Sequence, residues 1–249
     1  MSLAILSALP EEQHGLQHLL TGAQSVRHAG RDFVCGQLHG RCVVLALTGI
    51  GKVAAATTAV AVIERFGAQQ LLFTGVAGGV GAGVQVGDVV VAQQFLQHDM
   101  DVRPLFPRWQ VPGYAAPTLG CDAAMAAGLL TAAMACVAQA AQWQEPLLAG
   151  STPRAHVGLV ASGDQFIVSA AVSGQITTDL QAAGHAPLAV EMEGAAIAQA
   201  CADYGVPFAA VRTISDRADD SAHVDFPAFV QAVASRYALE IVQHWVRHG

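Results

Sequence analysis

Val43-Val44-Leu45-Ala46-Leu47-Thr48-Gly49-Ile50-Gly51-Lys52-Val53-Ala54 opens a segment that ends in Leu71-Leu72-Phe73-Thr74. The first apolar run has strand length. Gly49 and Gly51 mark a tight turn, and the Ala-rich stretch to Phe66-Gly67 reads as a helix. Leu71 to Thr74 is a second short, fully apolar strand. Strand, turn, helix and strand in about 30 residues form a βαβ unit. The glycines and Lys52 also break the most apolar stretch, Val43 to Ile63, so it is not a membrane span.

The same alternation extends in both directions. Leu3 to Leu9 predicts a strand, and Pro10-Glu11-Glu12 the start of a helix to about Leu20, with proline and two acids suited to a first turn. Phe33 to Leu38 and Arg41 to Leu47 predict a hairpin turning at His39-Gly40. Asp88 to Ala92, Ala155 to Ala161, Leu188 to Val190 and Phe208 to Ile214 predict further strands. Helices are expected over Cys121 to Gln144, from near Ser169, over Glu191 to Tyr204, and from Phe226 to Val246. Arg103 to Pro117 holds four prolines and is a loop. The pattern implies an α/β fold with a mixed, mostly parallel central sheet, expected to form one domain over residues 1–249.

Composition narrows the function. Hydrophobic residues make up 53% and charged residues 12%, enough for one large core. Twelve Lys+Arg against 19 Asp+Glu give −7, a poor balance for neutralising phosphates, so no nucleic-acid partner is expected. The N-terminus lacks a basic n-region and cleavage pattern, and no membrane partner is expected. Five scattered cysteines without a CxxC pair, mostly in apolar surroundings, fit five buried, reduced thiols in the cytoplasm.

In parallel sheets ligands bind beyond the carboxyl ends of the strands. Those ends carry Glu11/Glu12, Gly49 to Gly51, Gly75 to Gly79, Gly163 to Phe166, Glu191 to Glu193 and Ser215/Asp216. Gly49 to Ala54 fits G-x-G-x-x-A, but the next strand ends Phe73-Thr74-Gly75 without the acid that a dinucleotide site needs, and Val53 rules out a Walker A loop. The plain reading is a tight turn. Gly75 to Gly83 reads as either a close backbone approach to a ligand or a flexible turn. His14 and His18, four apart on one predicted helix, could face one metal but lack an acidic partner in H-E-x-x-H form. His98-Asp99-Met100-Asp101 looks like a ligand cluster but reads better as polar residues at the mouth of a cleft, so no metal and no cofactor is expected. The recurring acids at strand ends point to acid and base chemistry by carboxyl groups, with Arg212, on the strand before Asp216, placed to anchor or polarise one of them.

These residues resemble the purine nucleoside phosphorylase/nucleosidase superfamily, and within it the 5′-methylthioadenosine/S-adenosylhomocysteine nucleosidases. The matching segments are Ala8 to Glu12, Thr48 to Val53, Thr74 to Gly79, Val86 to Asp88 with His98-Asp99, Gly158 to Ile167, Val190 to Glu193, and Val211 to Asp216. The last three together are specific. The resemblance implies a three-layer fold, its twisted sheet flanked by helices, and a homodimer. It also implies hydrolysis of the bond between adenine and ribose, with water as co-substrate. Carried over, Asp216 protonates adenine N7 and Glu12 readies the water. Glu193 binds the ribose hydroxyls and Met192 lines the sugar. Phe166 stacks on the purine, the Ile167 backbone meets its edge, and Gly78 allows close approach. Ser215 and Arg212 support Asp216 and the water.

Two departures bear on specificity. Val76 replaces a hydroxyl residue found in many relatives. The segment after Asp101, with Arg103 and Arg108, differs from the expected aromatic stretch that covers the 5′-substituent. Both arginines are candidates to meet a carboxylate or phosphate there. Glu12 favours a hydrolase over a phosphorylase, since a carboxylate repels phosphate and can activate water. The further alternative, a purine-binding module without catalysis, is disfavoured by intact Glu12, Glu193 and Asp216.

Overall fold

The computed structural model describes residues 2–140, 142–143, 145–148, 150–219 and 222–248. Ten strands belong to one sheet among these residues: β1 (Leu3–Ser7), β2 (Thr21–His28), β3 (Arg31–Leu38), β4 (Arg41–Leu47), β5 (Gln70–Gly79), β6 (Val89–Gln97), β7 (Thr118–Gly120), β8 (Ala155–Ser162), β9 (Pro187–Glu191) and β10 (Phe208–Asp216). The helices are α1 (Lys52–Phe66), α2 (Ala123–Ala140), α3 (Ala170–Ala182), α4 (Gly194–Tyr204), α5 (Ala222–Phe229) and α6 (Ser235–His248). The predicted alternation and the hairpin at His39-Gly40 are present.

β4, β1, β5 and β10 run parallel side by side. Beyond them the sheet rolls up: β10 pairs with β6, β6 with β8, β8 with β9, and β9 returns to β5. The closing pair joins Gly78 to Val190 in antiparallel sense, so the ends of β5 and β9 meet. Closure removes the exposed edge that this part of the sheet would otherwise carry.

β1, β4, β5 and β10 are buried on both faces over most of their length, as parallel strands covered by helices must be. Alternate residues feed two cores. Leu3, Ile5, Val43, Leu45, Leu72, Val89 and Val91 pack with α2 and α6. Ala4, Leu6, Val44, Ala46, Phe73, Val90 and Ala92 pack with α1 and α4. α2 is long and apolar enough to cross a membrane by length and composition. Its face of Met125, Leu129, Ala133, Cys136 and Val137 is instead sunk in the first core. All five cysteines are free thiols, but against expectation only Cys136 and Cys201 are buried; Cys42, near the start of β4, is exposed.

Several expectations change. The helix predicted from Pro10 to Leu20 is two short 3-10 turns, Pro10–Gln13 and Gln17–Leu19. Gly15 between them has φ +86°, a left-handed conformation that ends a helix, and the Gln13 amide donates to the Ile5 and Ala46 carbonyls. β2 was not foreseen because its residues are mostly exposed and lack apolar alternation. Gly75 to Gly79 is neither turn nor loop but the end of β5. α2 stops at Ala140; of the stretch to Gln144, residues 141 and 144 lie outside the described residues. The final helix is divided into α5, a π-turn over Val230–Ala234, and α6.

Candidate active site

Strand ends and their loops line an open cleft. Glu12, Gly78, Phe166, Ile167, Met192, Glu193, Ser215 and Asp216 all line it. Arg212 lies beneath the wall, fully buried, its guanidinium 3.8 Å from the Phe73 ring centroid.

Glu12 reaches the cleft because the turn after β1 folds its carboxylate back on its own backbone. Oε2 accepts the N–H groups of Ala8 (2.8 Å) and Leu9 (2.9 Å), and Oε1 that of Val76 (3.0 Å). Burial pushes the Glu12 carboxyl above the usual glutamate range, while Arg212 and these three N–H donors pull it down. Gly75 makes the arrangement possible. A Cβ there would sit 2.4 Å from Arg212 Nη1 and 2.7 Å from Glu12 Oε1.

Arg212 does not support Asp216 as expected. It pairs with Glu191 Oε2, lies 3.6 Å from Glu193 Oε2, and faces Glu12 over Gly75. Even spacing on a regular strand puts residues 212 and 216 on one face. A register shift between Ile214 and Asp216 breaks that rule, and such a bulge re-aims the side chains beyond it. Glu191, not among the expected site residues, is therefore the main anchor of the guanidinium. It also accepts the Ser162 hydroxyl and the N–H groups of Glu193 (3.1 Å) and Gly194 (2.8 Å), at the N-terminus of α4. Its place in Glu191-Met192-Glu193 was the available signal.

Asp216 is held at both oxygens. Oδ1 accepts the Ala218 N–H and Oδ2 the Ser215 hydroxyl, both at 2.8 Å. Burial raises its pKa against those two bonds. A Cβ on Gly78 would lie 2.9 Å from Asp216 Oδ1 and from Ala218 Cβ, so this glycine makes room for the acid itself. In the β5–β10 register Arg212 stands beside Gly75 and Asp216 beside Gly78. Three residues of strand put the two sites roughly 10 Å apart.

Glu193 Oε1 accepts the Gly51 N–H at 2.9 Å. Burial, then the neighbouring Glu191 charge, raise the Glu193 carboxyl to about 7, with Arg212 opposing. An acid ionised in the unfolded chain above its ordinary 4.5 but protonated in the fold to about 7 makes stability fall as pH rises through that window. Glu193→Gln is therefore expected to flatten this part of the stability curve. Thermal melts from pH 4 to 8 (roughly spanning the window) check it, and an unchanged slope would show Glu193 ionised throughout.

Phe166 is 43% exposed, with its ring edge-on to Phe226 at 5.6 Å between centroids. Leu9, Ile50, Gln165, Val76, Glu191 and Phe226 are also in the lining, and no Lys or Arg is among the described lining residues. The two loop arginines are engaged elsewhere: Arg103 with Asp101 (2.5 Å) and Arg108 with Asp179 (2.8 Å). His14 and His18 are exposed on separate turns. The Gly49-Ile50-Gly51-Lys52 turn presents its helix N–H groups to protein carboxylates: Gly51 to Glu193, and Lys52 to Asp164 at 2.8 Å.

The phosphorylase superfamily model matches residues 2–247. The chain belongs to the phosphorylase superfamily. Among solved members of the superfamily, it is 31% identical to 5′-methylthioadenosine/S-adenosylhomocysteine nucleosidase from Neisseria meningitidis in complex with methylthio-immucillin-A, covering 99% of this chain and 98% of that one, TM-score 0.85. The corresponding Colwellia psychrerythraea nucleosidase, in complex with adenine, is 32% identical over 99% and 95%, TM-score 0.85. Futalosine hydrolase of Helicobacter pylori is 29% identical over 100% and 98%, TM-score 0.84. The family resemblance and α/β fold expected from the sequence are thus borne out.

Proposed function

We propose that this superfamily member is an adenine nucleosidase, a single-domain hydrolase releasing adenine from 5′-methylthioadenosine, S-adenosylhomocysteine or a related nucleoside. The observation that carries this reading is the convergence of Glu12 and Asp216 on one cleft, each buried carboxyl oriented by hydrogen bonds. Adenine leaves poorly as an anion and well once protonated. Asp216, its pKa raised by burial, is the donor to N7. Glu12 sits earlier on β5, beside Gly75 and Val76, at the sugar. Among the described residues Arg212 Nη1 has no hydrogen-bond partner, and it lies over the same glycine as Glu12 Oε1. A water held between them would be oriented for attack. Glu193 takes the ribose hydroxyls and Met192 the sugar face, and carboxylates near an oxocarbenium-like centre stabilise it. Phe166 and the Ile167 backbone bind the purine, with Gly78 leaving room for Asp216. Both proton transfers fall to side chains, so the reading needs neither cofactor nor metal.

Phosphorolysis is the second reading, and the turn after β1 disfavours it. The Ala8 and Leu9 N–H groups, which a phosphate would need, are filled by the Glu12 carboxylate. The apolar lining of Leu9, Ile50 and Phe226, with no Lys or Arg among the described lining residues, favours an uncharged thioether at the 5′ position over a phosphate. Exposed Ile50, Val53, Leu105 and Phe106 suit contact with a second copy, giving the homodimer. Free thiols suit the cytoplasm.

The test is incubation with methylthioadenosine, adenosylhomocysteine, adenosine and AMP in phosphate-free buffer. Free adenine is expected from the thio-nucleosides first and AMP last; adenine release only on adding phosphate would make the protein a phosphorylase. Phe166→Ala is expected to weaken adenine binding by about 1–3 kcal/mol, the base-stacking scale. Calorimetry checks this, and unchanged affinity would place the ring outside the purine site.

A further inference from the structure

Lys52 is the only lysine of the chain; the other cations among its 12 Lys+Arg are arginines. It stands at the first position of α1 with its side chain only 16% exposed. Nζ lies 2.5 Å from Asp99 Oδ1, 3.2 Å from Gln97 Oε1 and 3.7 Å from Asp164 Oδ2. Its backbone N–H donates to Asp164 Oδ1 at 2.8 Å, and the Asp164 N–H donates to Asp99 Oδ2 at 2.9 Å. Lys52, Asp99 and Asp164 thus close a ring that ties three segments together: the end of β6, the loop after β8 and the first turn of α1.

The tied loop is the purine side of the cleft. Gln165, Phe166 and Ile167 follow directly on Asp164. Phe166 is half exposed, with Phe226 as its ring neighbour, so the loop base sets its position. One side of that base is packed hard: a Cβ on Gly163 would meet His98 Nε2 at 2.2 Å. The other side is the Lys52 ring. The residue before Lys52 holds the sugar side, since the Gly51 N–H binds Glu193 Oε1. A Cβ on Gly51 would also lie 3.3 Å from Asp164 Oδ1, so the two carboxylates share this one helix terminus.

We infer that Lys52 is a positioning residue. It locks the Asp164–Ile167 loop to the α1 terminus that orients Glu193, and so keeps the purine wall in register with the ribose carboxylate. Three acceptors around one point match the three rotatable donors of an ammonium. A planar guanidinium, with its donors in a fixed fork, does not reproduce them. This explains a lysine here in a chain that otherwise uses arginine.

The inference rests on the nucleosidase reading, and wild-type protein separates the two. If wild type neither binds adenine by calorimetry nor releases it from methylthioadenosine, the nucleosidase reading fails. Given an active wild type, Lys52→Met is expected to weaken adenine affinity and raise KM by about 10- to 100-fold, the loss expected for charge-assisted hydrogen bonds. Lys52→Arg recovers less than half of that loss on a logarithmic scale. Asp164→Asn alone weakens adenine binding by about tenfold. The double variant Lys52→Met/Asp164→Asn is no worse than Lys52→Met, because both changes break one ring. Wild-type adenine affinity in a folded Lys52→Met protein would overturn the inference, as would fully additive losses in the double variant. If Lys52→Met does not fold, Asp164→Asn decides alone, and unchanged affinity there overturns it.

Discussion

Asp216→Asn should fold, bind adenine and lose turnover by about 10²–10⁴-fold, the contribution typical of a positioned acid. The surroundings of Asp216 explain why shape survives. The asparagine oxygen can accept the Ala218 N–H that Oδ1 accepts now, and its NH₂ can donate to the Ser215 hydroxyl. What disappears is the proton. Burial raises the Asp216 pKa, which extends the pH range over which the acid stays protonated. The wild-type rate should fall as pH rises through that value, and the variant should lose this alkaline limb. Steady-state rates from pH 4 to 10 (roughly the span of carboxyl and base titration), with melting curves as a folding control, make the comparison. A variant within tenfold of wild type would remove Asp216 as the acid.

Glu12→Gln should cost as much in rate, by about 10²–10⁴-fold, and should also lower Tm. The two effects have separate causes. As a base, Glu12 must be ionised, so the rate falls on the acid side of its raised pKa and the amide cannot replace it. As a structural group, its oxygens accept three backbone N–H bonds. Glutamine turns one acceptor into a donor, leaving at least one buried N–H facing an NH₂ group at a cost of about 1–3 kcal/mol. It also removes a counter-charge from the buried Arg212 guanidinium. Adenine binding, which depends on residues farther along β5, should persist. Calorimetry with adenine beside single-turnover rates separates the roles: if affinity and rate fall in parallel, Glu12 is only a structural clasp.

Much of this site was legible because strand ends in an α/β chain fall on one edge of the sheet. That rule brought Glu12, Gly78, Phe166, Met192, Glu193 and Asp216 into one list, and all of them line the same cleft. Arg212 shows where the rule stops. Its separation from Asp216 depends on a bulge, and a bulge is set by what packs around the strand. The glycines of β5 show the same limit. Gly75, Gly78 and Gly79 look like a turn or a ligand approach, yet each leaves room for a protein side chain: Arg212 with Glu12, Asp216 with Ala218, and Ile214. Which atoms fill the space above a missing Cβ is a long-range fact.

Local sequence by itself determined the buried strands, the crossover helices, the buried core and the acids at strand ends, because periodicity and propensity act between near neighbours. Only the tertiary structure decided the rest: the closure of β5 through β10, the Glu191 anchor beneath the cleft, and the Lys52 ring across three distant segments. Those features arise when groups tens of residues apart compete for the same buried hydrogen bonds, and no short window of sequence records the outcome of that competition.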